Sequence, residues 1–318
     1  MYHTFIGIDI SKNDFYVAIH GVKDTQCIDN NLNGFNQFYK TYKKQLSQTL
    51  VVLETTGGYE HSLVEFLQSK KIAVHRANTR IVKSFIRSTG KLGKSDKIDA
   101  IGLARYGSER YADLELYQPP SDIEKELLQL TNRKIDLKRM LVQEKNRYQS
   151  PDNYFIKANC KSLIDSLDES IKKIKQRITE LINADKKIKD KVSLLKNEVS
   201  GIGEATAIDL LSTMPELGRV SSKAIASLSG TAPHPYESGK KIGYRSTRGG
   251  RQMVKPILYM AAMAAAKSKD GLGEFYRALI ARGKKPMVAL TALMRKIIVI
   301  VNAKIRDFEQ HCKMQVTA

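Results

Sequence analysis

Four acidic residues lie at positions where a charge costs free energy unless it is paired or used. Asp9 lies at the end of the apolar stretch IGIDIS, and Glu54 ends the apolar stretch VVLE. Asp96 and Asp99 are three residues apart, and on a helix this spacing turns both carboxylates to one side. If the stretches that contain Asp9 and Glu54 form neighbouring strands of a sheet, the ends of these strands can lie next to that helix. Clustered carboxylates repel one another unless divalent cations lie between them, so the pattern predicts a metal site.

Mg²⁺ is the cation that this set of oxygen ligands favours, and two Mg²⁺ ions can stabilise the attacking and leaving oxygens of a phosphodiester. Each acid taken singly is better explained as a strand-end or helix-surface carboxylate. Glu60, Asp14 and Asp24 are interpreted as surface acids of this kind. The order of a strand Asp, a strand Glu and a helical DxxD favours the metal site.

A basic segment leads into the DxxD pair. Residues 70–95 contain eight basic side chains and no acidic one. Such a run is usually a solvated face, but beside a metal centre it also suits the recognition of phosphate. The candidate nucleic-acid-binding residues of this segment are Arg76, Arg80, Lys83, Arg87, Lys91 and Lys94.

Strand and helix signals alternate over residues 1–120 and would position the four acids. The stretches TFIGIDIS and NDFYVAIH are close enough for an antiparallel hairpin, and TLVVLE and KIAVHRA are further short strands. Helices are expected over 35–45, 60–69, 79–88 and 96–108, and Pro119-Pro120 closes the unit. This order predicts an α/β domain with a mixed sheet.

The remaining sequence predicts helices. Over residues 121–195, apolar residues recur at helical spacing with Lys, Glu and Gln between them, which favours an antiparallel helical hairpin or a dimerising coiled coil. An ordinary helical connector is an equally open interpretation. Residues 196–318 alternate helices, including 254–266 and 287–304, with glycine-rich interruptions.

The stretch SGIG precedes a predicted helix over 205–214. A tight turn at Gly201 and Gly203 would expose backbone N–H groups that suit a DNA phosphate, as in helix-hairpin-helix modules. A plain helix-capping turn is the alternative.

The charge balance predicts a polyanionic partner. Lys and Arg number 53 against 33 Asp and Glu, a net charge of +20. Residues 201–318 hold 19 of these bases and only 8 of the acids. Nucleic acid is therefore the expected partner, ahead of an anionic membrane. Apolar residues make up 42% of the chain, which excludes wholesale disorder.

Several classes of protein are excluded by what the sequence lacks. Cys27, Cys160 and Cys312 form no CxxC pair, which argues against a disulfide framework or a structural zinc site. The start MYHTFIGIDI has no signal-peptide pattern, and basic residues interrupt the longest apolar stretch, 287–301. We expect a soluble, cytoplasmic protein without a membrane partner.

The stretches IGIDISK, LETTGGYE and KSDKIDA resemble the motifs of a RuvC-like domain of ribonuclease-H fold and DEDD type. Such a domain opens the transposases of the bacterial insertion sequences IS110 and IS1111 and the related Piv-type DNA invertases. The resemblance continues through SGIGEATA, LSGTAPHPYESGKK and RSTRGGRQMVKPILYMAA, and so covers nearly the whole chain. It implies that Asp9, Glu54, Asp96 and Asp99 form the Mg²⁺-binding tetrad.

The resemblance also implies a catalytic serine within a motif like YESG, which maps to Ser238. From the sequence alone, Ser238 is one serine among many, beside a glycine. A serine hydroxyl can attack a DNA phosphorus and conserve the bond energy as a phosphoserine ester. The bases that could stabilise the developing charge are Lys240, Lys241, Arg245, Arg248 and Arg251. His234, between two prolines, is interpreted as a loop histidine, and Tyr236 lacks the supporting residues of a tyrosine recombinase.

The resemblance thus divides the chain into a RuvC-like DEDD domain (1–120), a coiled-coil oligomerisation segment (121–195) and a serine-containing transposase domain (196–318). It implies a DNA transposase and recombinase that exchanges strands through a phosphoserine. It also implies a composite site shared by two protomers, dimers that pair into a tetramer, and a guide RNA that bridges donor and target DNA. A nucleoid-associated cytoplasmic location is expected.

Two alternatives stay open. One is a hydrolytic, metal-dependent junction resolvase in which Ser238 is structural, and the other is a non-catalytic DNA-binding accessory protein.

Overall fold

The protein is described by a computed structural model over residues 2–55, 57–90, 93, 95–150, 152–235, 237–238, 241–243 and 245–317. Lys91, Lys94, Tyr236 and Lys240 lie outside the described residues, and Ser238 and Lys241 are described for their backbones alone. The chain divides into two compact units, Met1–Pro119 and Pro120–Ala318. The division into three segments expected from the sequence stays a prediction.

The first unit is built on a five-stranded sheet with the strand order β3-β2-β1-β4-β5. The strands are β1 (Thr4–Ile10), β2 (Asp14–Ile19), β3 (Thr25–Asp29), β4 (Thr49–Glu54) and β5 (Ala73–Ala77). β1 pairs antiparallel with β2, and β2 antiparallel with β3, whereas β1, β4 and β5 are mutually parallel. The predicted mixed sheet is confirmed.

Helices cover both faces of this sheet. They are α1 (Leu32–Leu46), α2 (His61–Ser69), α3 (Thr79–Ser88) and α4 (Asp96–Arg110), and a short 3₁₀ helix follows α4 at Tyr111–Asp113. Ile6 and Ile8 of β1 belong to the core formed with α1 and α2, while Phe5 belongs to the core that includes Leu103 of α4. Successive side chains of a strand alternate between faces, so Asp9 lies on the same face as Phe5, beneath α4.

Small residues allow α4 to lie directly on the sheet. Gly7 faces α4, and a Cβ atom there would lie 2.1 Å from the carbonyl oxygen of Ala100 and 2.2 Å from the amide nitrogen of Ala104. At Gly107, farther along the helix, a Cβ atom would lie 2.8 Å from the Val52 side chain. Backbone-to-backbone contact of this kind fixes the helix with little freedom to shift.

The second unit is mainly helical, as predicted. Its helices are α5 (Asp122–Gln149), α6 (Tyr154–Ala184), α7 (Lys186–Glu198), α8 (Glu204–Thr213), α9 (Ser222–Leu228), α10 (Val254–Ala265), α11 (Gly271–Ala281) and α12 (Pro286–Thr317). Its described strands have two residues each: β6 (Pro233–His234), β7 (Glu237–Ser238), β8 (Lys241–Ile242) and β9 (Ser246–Thr247). No described helix is long and apolar enough to cross a membrane.

α5 and α6 pack antiparallel and also share a core with the helices that follow. Glu126 near the start of α5 pairs with Arg177 near the end of α6, at 2.8 Å. Leu127 of α5 belongs to the same buried cluster as Leu210 of α8. Lys134, a gap in the apolar series of α5, is buried and forms an ion pair with Asp209 of α8. The dimerising coiled coil stays a prediction.

Substitution of Gly7 tests the contact between β1 and α4. We expect Gly7→Ala to lower the free energy of unfolding by about 3 kcal/mol, because the added methyl group must displace the α4 backbone. Urea denaturation followed by circular dichroism measures this. Gly271→Ala is the matched control, since a Cβ atom there meets nothing within 4 Å. Equal stabilities of the two variants would contradict the contact.

Candidate active site

The ends of β1 and β4 bring two of the predicted acids side by side. The strands are parallel neighbours, and Ile8 lies opposite Leu53 in their register. Asp9 and Glu54 each follow by one residue, so both stand at the carboxyl ends of their strands on the face that α4 covers. Both are partly buried.

The first turn of α4 brings the other two acids to the same edge. The helix begins at Asp96, and the Ser95 side chain accepts a hydrogen bond from the Ile98 amide as its N-cap. Asp96 and Asp99 therefore lie in the first turn, where the helix dipole favours negative charge. The turn that follows is the one that Gly7 contacts, so the contact sets the distance of the pair from Asp9.

The pKa of Asp9 reflects its burial and the nearby carboxylates. Burial raises the pKa of the Asp9 carboxyl, and the charges of Glu54, Asp99 and Asp96 raise it further, to about 7. The positive charge of Lys83 acts in the opposite direction and lowers this pKa. The structure thus brings together the four acids that the sequence singled out, with one of the predicted bases beside them.

The donor set fits a hard divalent cation, because it consists of carboxylate oxygens whose mutual repulsion a cation would relieve. Among the described residues, no group of three His, Cys, Asp or Glu side chains stands where it could hold one metal ion.

α3 presents a basic face next to the acids. Its predicted phosphate-binding residues Arg80, Lys83 and Arg87 are all exposed, and their spacing places them along one side of the helix. The influence of Lys83 on the Asp9 carboxyl shows that this side reaches the acidic cluster.

The interpretation of Glu60 as a surface acid is wrong. Its side chain is 1% exposed and accepts a hydrogen bond from Arg76 Nη2 at 2.6 Å. Arg76 also stacks on Tyr117, with 5.2 Å between its guanidinium carbon and the ring centroid. Two residues 16 apart in sequence thus form a largely buried pair, which favours a structural role for Arg76. Its contact with nucleic acid stays a prediction.

Ser238 lies in a small hairpin. Its backbone in β7 pairs with Lys241 in β8. His234 is exposed in β6, where it pairs with Ser246 of β9. Arg245 and Arg248 are exposed, and Arg248 Nε donates a hydrogen bond to the Ser246 hydroxyl at 3.2 Å.

The segment that contains the short strands begins at Gly230 and ends at Gly250, and these two residues contact each other to form a neck. A Cβ atom at Gly250 would lie 2.1 Å from the amide nitrogen of Gly230, and the Arg251 amide donates to the Leu228 carbonyl at 2.8 Å. The Arg251 guanidinium pairs with Glu216 at 2.5 Å and donates to the Thr213 carbonyl at 2.8 Å. Arg251 therefore anchors the neck, and its contact with DNA stays a prediction.

The two glycines of the SGIG turn occupy different surroundings. Gly201 has φ +85°, and a Cβ atom there would lie 2.3 Å from the carbonyl oxygen of Ala261 in α10. Close packing on α10 therefore explains Gly201. Gly203 is exposed at the N-cap of α8, whose first turn begins with Glu204, a charge that opposes a phosphate. Ser200, before the turn, donates a hydrogen bond to Asp270, the N-cap of α11. Phosphate binding by the turn stays a prediction.

Comparisons with known proteins agree with this arrangement. Residues 6–151 match the transposase family of IS110 type with a DEDD domain, and residues 194–277 match the transposase family of IS116, IS110 and IS902. The chain is 30% identical over 317 residues to the pilin gene-inverting protein of Moraxella bovis, which covers 96% of this chain and 97% of the relative. The pilin gene-inverting protein of Moraxella lacunata is 30% identical over 316 residues, with the same coverage.

The chain belongs to the IS110 transposase family. A third relative, an uncharacterised 43.6 kDa protein of insertion element IS110 from Streptomyces coelicolor, is 28% identical over 148 residues, 46% of this chain and 35% of the relative. The IS110-family protein described here is accordingly a DNA transposase or recombinase, its substrate is DNA, and its DEDD domain indicates dependence on a divalent metal.

The structure places one further residue beside the predicted acids, which the sequence did not indicate. Tyr16 of β2 lies opposite Asp9 across the strand pair. A hydrogen bond to Cys27 raises the pKa of the Tyr16 phenol, and the charges of Asp14 and Asp96 add smaller contributions in the same direction. The pairing of β1 with β2 was predictable, but the register that sets Tyr16 beside Asp9 was not.

The pKa of Asp9 predicts how the stability of the metal-free transposase depends on pH. The pKa is near 7 in the folded protein, against 3.8 for an aspartate free of such surroundings, so ionisation between these values opposes folding. We expect Asp9→Asn to be more stable than the wild type by about 1–2 kcal/mol at pH 8, a value reduced for solvent screening, and by almost nothing at pH 4.

Urea denaturation in EDTA between pH 4 and 8 measures the difference. Asp24→Asn, at an exposed position before β3, is the control and should show no comparable trend. If the difference in the free energy of unfolding between the wild type and Asp9→Asn did not change with pH, this result would contradict the assigned surroundings of Asp9.

Proposed function

We propose that this transposase cuts and rejoins DNA through a covalent phosphoserine at Ser238, assisted by Mg²⁺ held by Asp9, Glu54, Asp96 and Asp99. The observation that carries the proposal is the placement of Asp9 and Glu54 side by side at the carboxyl ends of β1 and β4, on the face that α4 covers. Asp96 and Asp99 lie in the first turn of that helix. The strand order of the sheet and the match of residues 6–151 to a DEDD transposase family support a RuvC-like, ribonuclease-H-type fold for this unit.

In the proposed reaction, Ser238 Oγ attacks the phosphorus of the scissile phosphodiester. The Oγ–P bond forms as the hydroxyl proton leaves, and the bond from phosphorus to the departing deoxyribose oxygen breaks as that oxygen takes up a proton. The number of P–O bonds is unchanged. A deoxyribose hydroxyl of the exchanging strand can therefore reverse the step and rejoin the DNA without an external energy source.

The chain's own charges would orient the DNA for this step. Bound Mg²⁺ would offset the repulsion of the carboxylates and stabilise charge on the phosphodiester oxygens. Arg80, Lys83 and Arg87 would hold the DNA backbone beside the tetrad, and Arg245 and Arg248 would do so beside Ser238. Exchange would pass through a Holliday-junction-like intermediate.

The proposed assembly joins more than one copy of the chain. The tetrad and Ser238 lie in separate compact units. As the resemblance to the family implies, the composite site would take these two parts from different protomers. α5 and α6 would supply the contacts of a dimer, and dimers would pair into a tetramer. The net charge of +20 supports a partner RNA as well as DNA, and this RNA would guide the enzyme to its target by base pairing.

The pilin gene-inverting relatives favour recombination over simple cleavage, since their name states that they invert a DNA segment. Inversion requires strands to be rejoined as well as cut. A covalent intermediate that conserves bond energy provides this directly.

Trapping the covalent intermediate tests the role of Ser238. Wild-type protein incubated with nicked or suicide DNA and Mg²⁺ should yield a denaturant-resistant protein–DNA adduct, and Ser238→Ala should yield none because the nucleophile is gone. Ser246→Ala, in β9, which pairs with β6 and not with β7, is the matched control and should retain the adduct. Ser238→Ala with full recombination would overturn the serine mechanism.

The same assay separates the two alternatives. DNA cleavage that Ser238→Ala retains and Asp9→Ala loses would identify a hydrolytic metal-dependent resolvase. Strand exchange that survives Asp9→Ala or Asp99→Ala would mean that the tetrad is not catalytic, and would favour a DNA-binding accessory role.

The salt dependence of DNA binding tests the basic face of α3. Each phosphate contact contributes about −0.9 to the slope of log K against log salt concentration, so Arg80→Ala/Lys83→Ala/Arg87→Ala should reduce its magnitude by about 2–3. Fluorescence anisotropy with duplex DNA at salt concentrations from about 50 to about 300 mM measures this slope. Lys40→Ala/Lys43→Ala/Lys44→Ala on the exposed surface of α1 is the control. Equal slopes for the two triple variants would contradict a contact between the basic face of α3 and DNA.

A further inference from the structure

One side-chain amide joins the two loops that follow the carboxylate-bearing strands. Asn30 lies between β3 and α1, and its Nδ2 donates to the Ser11 carbonyl at 2.9 Å and to the Tyr59 carbonyl at 3.2 Å. Ser11 follows β1, the strand of Asp9, and Tyr59 lies in the loop after β4, the strand of Glu54. Asn30 therefore spans the gap between the two strand ends.

The Asn30 backbone is fixed as well. Its amide donates to the Asn13 carbonyl at 2.8 Å, which ties the residue to the β1–β2 turn. Its neighbour Asn31 caps α1 by accepting from the Gly34 amide at 3.0 Å. The side-chain amide of Asn30 is thus held in place by neighbours on both sides.

The loop after Glu54 has a second anchor in the pair of Glu60 and Arg76. The Glu60 carboxylate accepts from the Gly58 amide at 3.0 Å and from Arg76 Nη2 at 2.6 Å. Arg76 belongs to β5 and lies opposite Leu53 in the sheet register, one residue before Glu54. The pair therefore ties the loop back to the sheet at the level of Glu54.

We propose that Asn30 and Glu60 are positioning residues, which set the separation of the Asp9 and Glu54 carboxylates and thereby the affinity of the site for divalent cations. Neither contacts DNA or metal in this role. Adjacent like charges push apart, and the links made by Asn30 and Glu60 oppose that displacement. The inference rests on the proposed metal-binding function of the tetrad.

Calorimetric titration of the folded protein with Mn²⁺ alone tests the proposal without reference to catalysis. Asn30→Ala should bind Mn²⁺ on the order of tenfold more weakly than the wild type, as expected when groups that orient metal ligands are removed. Asn36→Ala is the matched control, because its amide donates to the Leu32 carbonyl within α1 at 2.9 Å and joins no loops. DNA cleavage by Asn30→Ala should recover at saturating Mn²⁺, leaving kcat near the wild-type value.

A purely structural role for Asn30 would lower the melting temperature while leaving the Mn²⁺ affinity of the folded protein unchanged, and this result would overturn the proposal. Glu60→Gln carries the same test if Asn30→Ala does not melt cooperatively. Glutamine keeps an acceptor for the Gly58 amide but loses the charge that faces Arg76, so weaker Mn²⁺ binding is again expected. Wild-type affinity in folded Glu60→Gln would count against the proposal.

Asp9→Ala distinguishes failure of this inference from failure of the proposed function. If Asp9→Ala binds Mn²⁺ as the wild type does, the tetrad is not the metal site and the proposed function fails with it. If Asp9→Ala loses Mn²⁺ binding while Asn30→Ala and Glu60→Gln keep it, the metal site stands and the positioning inference alone is wrong.

Discussion

The contact between the β1 and α4 backbones at Gly7 is the constraint on which the rest of the candidate active site depends. Asp9 reaches the site from a strand and the Asp pair reaches it from a helix end, so their separation is set by how closely these two elements approach. Gly7 permits an approach that no side chain would allow. Burial of Ala100 and Ala104 against the sheet then fixes the angle and position of the helix.

The close packing of β1 and α4 brings carboxylates near one another, and these carboxylates repel each other. The fold gathers negative charge at one edge of the sheet at a cost in free energy, which is reflected in the raised pKa of Asp9. The exposed bases of α3 beside this edge supply charge of the opposite sign. An arrangement that is unfavourable in the isolated protein becomes favourable when cations and a polyanion are added, which is how a site specific for charged ligands is built.

Local patterns in the sequence singled out the four acids as a group and predicted the mixed sheet and the helical second unit. Each of these inferences depends on periodicity or on placement at a strand end. Glu60, at the start of α2, was misjudged because it is paired with Arg76 of β5, and no local pattern reveals such a partner. Tyr16 was missed since its place beside Asp9 follows from strand register. The short strands around Ser238 were not anticipated, because glycine-rich, polar sequence carries little periodic signal. α11 was also missed, although Leu272, Phe275 and Leu279 recur at helical spacing and could have revealed it.

The neck at Gly230 and Gly250 has a consequence for the loop that it closes. The two ends of this loop touch each other, and Arg251 anchors one of them to Glu216. The contacts that hold the neck therefore lie at its base and not in the hairpin that carries Ser238. The hairpin can thus change its position while the helices around the neck stay packed.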